Sequence, residues 1–224
     1  MRSETPPEAL GIFGGTFDPV HFGHLRLAEE AVDVLGLRGV RWIPAGRPAL
    51  RDTPRVGPRQ RLDMVRLAIA GNPRFELDSS EVDTPGMSYT VPTLERLRQP
   101  DAFGAKRPLV LLVGNDTFAA MAGWHRWERL FELAHVAVAH RPGYSIDPES
   151  LPPELAAVFR RRSCRDIGRL AGAPAGCIAS FVMTPLDISA TRIRSLLSTG
   201  ASPRYLLPQS VLAHIHEHRF YTEN

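Results

Sequence analysis

Cysteine is scarce in this chain of 224 residues, Cys164 and Cys177 being the two examples. They make neither a C-x-x-C pair nor a zinc-ligand spacing. That excludes a disulfide framework or a structural zinc as the basis of the fold, and two incidental thiols fit a reducing, cytoplasmic setting. Long apolar runs are missing as well. No stretch approaches the roughly 20 residues that cross a bilayer. Met1–Glu8, with its acids and prolines, lacks the apolar core of a signal peptide, so neither membrane nor secretion is expected. Neither sign of charge dominates. A net charge of +3 with pI ≈ 9.2 suits small anionic substrates and does not by itself argue for nucleic acid. Arg160, Arg161, Arg162, Arg165 and Arg169 do concentrate positive charge, but few aromatics interleave them and acids stand nearby. They are expected on a solvated helical face. A Gly-x-Gly-x-x-Gly loop is also lacking, and no acid closes the second apolar run, Val40–Ile43, which disfavours hydride transfer on a bound dinucleotide.

What the chain does have is Gly14-Gly15-Thr16-Phe17-Asp18-Pro19-Val20-His21-Phe22-Gly23-His24. The apolar run Leu10–Phe13 precedes it, and Leu25, Leu27, Ala28, Ala31, Val32 and Leu35 follow at the spacing of a half-buried helix, so a strand, a glycine loop and a helix are expected here. Gly14 and Gly15 allow backbone amides to approach a ligand, while the helix start near Gly23 turns its N–H groups and positive dipole end to the same place. His21 and His24 straddle Gly23 and are positioned to donate hydrogen bonds to phosphate oxygens. The chemistry implied is the handling of a nucleotide.

Further along, Leu109–Val113 is a continuous β-prone apolar run, as in a central parallel strand covered on both faces. It ends at Gly114-Asn115-Asp116, so Asp116 is placed either to accept from ribose hydroxyls or to cap the next helix. Pro58 opens a packing helix from Gln60 to Ala70, and Ser79–Met87 reads as a polar loop. Ser88 and Thr90 are capping candidates for a helix through Leu94 and Leu97. In Trp124-His125-Arg126-Trp127, Trp124 is the candidate stacking platform and Trp127 a core anchor. After a last strand, Ile178–Met183, comes Asp187-Ile188-Ser189-Ala190-Thr191-Arg192-Ile193-Arg194. There Ser189 can cap a helix facing phosphate, Thr191 adds a hydroxyl, and Arg194 offers a planar fork of donors to a triphosphate. His214 and His218 lie four apart with no third ligand evident, and are read as surface histidines with no protein metal site.

Gly-Gly-x-Phe-Asp-Pro-x-His-x-Gly-His together with Ile-Ser-x-Thr-x-x-Arg resembles the signatures of the nucleotidylyltransferases that share the class I aminoacyl-tRNA synthetase fold. From about Leu10 to the C-terminus the chain is similar to the bacterial nicotinate-nucleotide adenylyltransferases. The resemblance implies a Rossmann-like, three-layer α/β fold with a mostly parallel sheet. It also implies transfer of the adenylyl group of ATP to nicotinate mononucleotide, giving deamido-NAD and pyrophosphate, with Mg²⁺ carried mainly by the ATP phosphates. Carried over by position, Gly14, Gly15, His21, Gly23, His24, Gly114, Asp116, Ile188, Ser189, Thr191 and Arg194 belong to ATP. His21, His24 and Arg194 act in catalysis. Thr16, Phe17, Asp18, Arg51, Ser88, Tyr89, Thr90, Trp124, His125 and Arg141 belong to the acceptor. The family's usual Pro-His-Lys or Pro-His-Arg is Ala49-Leu50-Arg51 here, and its usual Trp-Tyr is Trp124-His125, two departures around the acceptor. Nicotinamide mononucleotide or phosphopantetheine as acceptor, and a synthetase-derived RNA-binding module, are the competing readings, and monomer and homodimer both stay open. Residues 1–9 are expected as a flexible N-terminus and 10–224 as a single domain, with the Ser-x-Thr-x-x-Arg motif in a helical part made by roughly the last 35 residues.

Overall fold

The structure, a computed structural model, describes residues 8–49 and 53–222. Residues 1–7, most of the segment expected to be flexible, and the expected acceptor contact Arg51 with its neighbour Leu50 lie outside the described residues. Strands and helices alternate along the chain: β1 (Leu10–Gly15), α1 (Phe22–Leu35), β2 (Gly39–Pro44), α2 (Pro58–Ile69), β3 (Phe75–Leu77), α3 (Ser80–Asp83), α4 (Thr90–Leu97), β4 (Leu109–Gly114), α5 (Asn115–Ala119), α6 (Leu130–Leu133), β5 (His135–His140), α7 (Pro153–Arg162), α8 (Arg169–Gly172), β6 (Ile178–Val182), α9 (Ala190–Ser198) and α10 (Gln209–Glu217). The six strands form one parallel sheet in the order β3-β2-β1-β4-β5-β6, the expected α/β class. In a sheet of this order the direction of winding reverses beside β1, and ligands bind beyond the carboxyl ends of the strands there. Among the described residues no helix is long and apolar enough to cross a membrane.

The chain gathers into two compact units. The first holds the chain up to Phe13, Ala28–Val40 and Tyr89–Thr184. Its centre is β4 and β5, paired in register from Val110↔His135 to Gly114↔Ala139, with Leu109–Val113 and His135–Ala139 buried throughout. A strand buried on both faces needs apolar residues at every position, hence the unbroken run. Gly11 is dictated by packing, since a Cβ there would stand 3.0 Å from Val40 and 3.1 Å from Leu37. Burial lowers the pKa of His135, and its contacts fit the neutral ring: Nε2 lies 2.7 Å from the Ala173 carbonyl, and Nδ1 accepts from the Cys177 amide at 3.0 Å. The arginine segment divides. Arg160 pairs with Glu149 on the surface, as expected, but Arg162 donates to the Gly176 carbonyl at 3.2 Å and lies over the Phe131 ring, an internal role.

The second unit holds Gly14–Leu27, Arg41–Ser88 and the chain from Pro185 on. Its core is aromatic: the fully buried Trp42 has Phe17 at 5.4 Å and Phe75 at 5.5 Å between ring centroids. Next to this core lies a charged side chain, Arg61 of α2, with no exposed surface. Its guanidinium donates to three backbone carbonyls, Val56 (3.1 Å), Thr16 (2.7 Å) and Gly46 (2.8 Å). Helix α2 is therefore more than the packing element expected, because it ties the glycine loop to the loop after β2. The segment expected as a loop between Ser79 and Met87 contains α3. Asp78 Oδ1 accepts from the Ser80 amide at 2.9 Å and starts that turn, an Asx-type signal. Ser88 is not a helix cap. Its hydroxyl accepts from the Gly46 amide at 2.9 Å and the Arg47 amide at 3.3 Å, and α4 starts after Tyr89 with no side-chain cap.

Replacing Arg61 by Met would leave three carbonyls without their donor while filling similar volume. Each unsatisfied buried group costs about 1–3 kcal/mol, so a loss of roughly 2–5 kcal/mol in unfolding free energy is expected. Urea denaturation of the two proteins checks this, and a loss under about 1 kcal/mol contradicts the bracing role.

Candidate active site

The glycine loop is held from inside. Phe17 adopts a left-handed backbone (φ 52°) and buries its ring, and the next bond, Asp18-Pro19, is cis. A Cβ on Gly15 would meet the Phe17 ring at 2.9 Å, so this glycine answers to the loop's own packing. Gly14 differs, because a Cβ there meets nothing closer than the Ile43 carbonyl at 3.9 Å, and the residue is exposed. Asp18 is buried, and its groups are engaged by the protein. Oδ1 accepts from the Tyr221 hydroxyl at 2.7 Å, Oδ2 from the Arg55 amide at 2.9 Å, and the main-chain carbonyl from Arg194 Nη1 at 2.7 Å. The side chains of Phe17 and Asp18 thus turn inward, where the sequence reading had them at an acceptor.

The two imidazoles stack on each other with ring centroids 3.7 Å apart, and Phe17 stands edge-on to His24 at 5.1 Å. The His21 amide donates to His24 Nδ1 at 3.2 Å, so the hydrogen of a neutral His24 ring sits on Nε2. Burial pushes the His21 pKa down to about 4. Burial, and then the neighbouring His21, push that of His24 well below the ordinary value. Both rings are therefore uncharged at neutral pH, donors by virtue of their N–H groups. His21 Nδ1 is buried with no hydrogen-bond partner among the described residues. Gly23 leaves room for this pair, since a Cβ would approach the His21 ring at 3.1 Å. The dipole end of α1 is less open than expected. The Phe22 amide donates to the Leu206 carbonyl at 3.1 Å and the His24 amide to the His21 carbonyl at 2.9 Å, which leaves the amide of Gly23 as the first-turn donor to a ligand.

In the same unit Ser189 caps α9 as expected, its Oγ accepting from the Arg192 amide at 3.2 Å. One turn on, Arg194 is anchored twice, to the Asp18 carbonyl and to Thr191 Oγ1 at 3.3 Å. Sequence reasoning anticipated Arg194 but not its anchors. Nor did it find Arg61 or Tyr221 as organisers of the loop. Arg61 left a trace, a charge four residues before Val65 and eight before Ile69 on the buried face of α2; Tyr221, three residues before Asn224, left none.

The first unit carries the other candidates. Asp116 is exposed in the first turn of α5, just past the end of β4; the N-cap position is Gly114, with no side-chain cap among the described residues. Tyr89 and His125 bring their rings to 4.8 Å, with Thr90 half-buried at the first turn of α4 and Trp124 half-buried. Arg126 is not a free donor. In a left-handed backbone (φ 55°) it makes a two-pronged pair with Glu95 at 2.7 and 3.2 Å. Trp127 is half-buried, edge-on to Phe131 at 6.1 Å. Arg141 lies exposed in the turn after β5.

The model of the cytidylyltransferase-like family matches residues 12–196, which takes in both signature motifs and makes the class a nucleotidyltransferase. A "Probable nicotinate-nucleotide adenylyltransferase" of Dechloromonas aromatica is 59% identical over 214 residues, covering 96% of this chain and 98% of that one. One from Halorhodospira halophila is 46% identical, covering 96% of each. A Plasmodium falciparum nicotinic acid mononucleotide adenylyltransferase "complexed with NaAD" shares the fold at 12% identity, with a TM-score of 0.70 over 96% of this chain and 97% of that one. The chain belongs to the cytidylyltransferase-like family, in its nicotinate-nucleotide adenylyltransferase branch.

The His21 pKa sets a direct check. An unfolded chain takes up this proton near pH 6.5 and the folded one near 4, so the pair favours folding above 6.5 and that contribution is lost as pH falls through the window down to 4. In the free protein the His21 Cε1–H resonance should hold its neutral-imidazole position from pH 8 to below pH 5. Titration near 6.5 would contradict the buried, neutral pair.

Proposed function

We propose that this protein transfers the adenylyl group of ATP to nicotinate mononucleotide, releasing deamido-NAD and pyrophosphate. The observation that carries the chemistry is the joining, in one unit, of a neutral imidazole pair with a guanidinium fork anchored to the backbone of the same loop. In this reading an oxygen of the acceptor's 5′-phosphate attacks the α-phosphorus of ATP. The new phosphorus–oxygen bond forms as the bond to the β-phosphate oxygen breaks, and pyrophosphate leaves with that electron pair. The nucleophile is already an anion, so no base is required and no covalent enzyme intermediate forms. The protein's work is positioning and stabilisation of negative charge.

His24 donates from Nε2 to the α-phosphate, His21 to the phosphate beside it, and Arg194, with the Ser189 and Thr191 hydroxyls, holds the β,γ end. The exposed Gly14 backbone, the amide of Gly23 and the stretch at Ile188 admit the nucleotide, and Asp116 accepts from ribose hydroxyls. These donors suit an anion and do not build a cage for a hard cation. Asp18, the acid nearest the loop, already accepts from Tyr221 and Arg55. Mg²⁺ would accordingly arrive with the ATP phosphates.

For the pyridine ring, Thr90 donates to the carboxylate, and Trp124, Tyr89 and His125 supply flat faces. Because Arg126 is paired with Glu95, its charge is not offered to that carboxylate, and the preference for the acid rests on hydroxyl and imidazole donors. A pocket built to donate leaves groups unpaired when given an amide, so the expected preference for nicotinate over nicotinamide mononucleotide is on the order of 10² in kcat/KM. Pyrophosphate release measured with both mononucleotides and with phosphopantetheine tests the reading. Nicotinate mononucleotide should be favoured, and His24→Ala should lower kcat with it by about 10²- to 10³-fold, the cost of one preorganised donor. Equal use of the two mononucleotides, or preference for another acceptor, contradicts the assignment.

A further inference from the structure

Helix α10 lies outside every role described above, yet its last turn gathers three metal-ligating side chains. His214 and His218 are one turn apart and so share a face, and Glu217, exposed in the same turn, supplies the third ligand that the sequence reading did not see. One ligand atom from each falls within 4.8 Å of the others. Tetrahedral coordination at ~2.0–2.2 Å requires ligand atoms about 3.4 Å apart, a distance that small side-chain rotations reach.

Two details of the imidazoles point the same way. His218 Nδ1 lies 3.0 Å from the His214 carbonyl, and a carbonyl only accepts, so Nδ1 carries the hydrogen and the Nε2 lone pair is available. That is the arrangement by which a backbone oxygen orients a metal-ligating histidine. His214 Nε2 is buried, with no hydrogen-bond partner among the described residues. Buried polar atoms are nearly always satisfied, so this one is an unfilled valence on a residue of the cluster. The rings stand 4.2 Å apart, and Phe220, stacked on His218 at 5.3 Å and edge-on to His214 at 5.7 Å, walls one side. The cluster is also at the carboxyl end of α10, where the helix dipole favours a cation.

We propose that His214, Glu217 and His218 form a site for a divalent transition-metal ion of the Zn²⁺ type, separate from the Mg²⁺ that accompanies ATP. Two imidazoles and one carboxylate select such ions over Mg²⁺ and Ca²⁺, which prefer all-oxygen ligands. Three protein ligands leave at least one coordination position to solvent, the pattern of an accessible ion.

The test titrates the full-length protein with Co²⁺, following its visible absorption, and then displaces it with Zn²⁺. Wild type should saturate at one ion per chain and should not respond to Mg²⁺. Glu217→Gln, nearly isosteric and on the surface, and His218→Ala should each weaken binding at least about tenfold, the loss seen even for outer-sphere partners of a metal. The metal-free Tm of Glu217→Gln should match wild type, so that weaker binding is not misfolding. Absence of saturable binding, or both variants binding as tightly as wild type because the ion sits on His21 and His24 or on the thiols, overturns the proposal.

Discussion

Asp18 joins four parts of one unit through its two carboxylate oxygens and one carbonyl. Tyr221, near the end of the chain, and the amide of Arg55 hold the carboxylate, and Arg194 of α9 holds the carbonyl while its fork stays 4.0 Å from the carboxylate. The fully buried Arg61 carries compensating positive charge and donates to the Thr16 carbonyl, two residues upstream. Hydrogen bonds to charged groups contribute about 1.5–3 kcal/mol each, and in a network around one buried carboxylate each member keeps the others in geometry. Burial and the negative charge of Asp18 push the Tyr221 hydroxyl far above its ordinary range, so it remains a donor at any working pH. The shape of the glycine loop and the aim of Arg194 both follow from this one cluster.

A loop fixed in this way suits a reaction with an anionic nucleophile. In the proposed reaction two neutral imidazoles would donate hydrogen bonds without presenting a charge that binds every phosphate equally; burial keeps them neutral, with the neighbouring His21 adding to the effect on His24. The positive charge is left to Arg194, hydrogen-bonded to main chain and hydroxyl and paired only loosely, at 4.0 Å, with the Asp18 carboxylate. Arg126 shows the opposite arrangement, for its pair with Glu95 neutralises it.

Much of this was legible in the sequence because it was local. The run Leu109–Val113 announced a buried parallel strand, and the spacing of His21, Gly23 and His24 announced a loop and a helix start. The cap formed by Ser189 followed from its place before an amphipathic run. The parts that were not legible join residues far apart in the chain. Tyr221 reaches Asp18 across 203 positions and Arg194 across 176, and no periodicity encodes such a pairing. Ser88 looked like a cap because it precedes a helix, whereas its hydroxyl serves amides 42 and 41 positions back. His214 and His218 looked like an incomplete pair because Glu217, three and one positions from them, becomes a ligand only through rotamer choice at the end of the helix.

The proposed reaction is direct attack of the acceptor phosphate on the α-phosphorus, with no adenylylated protein between. Its stereochemistry is the most direct measurement. With ATP carrying one sulfur of defined configuration on the α-phosphorus, the dinucleotide product should show inversion at phosphorus, as a single in-line displacement requires. Retention would mean two displacements and a covalent intermediate on the protein, and would contradict the account.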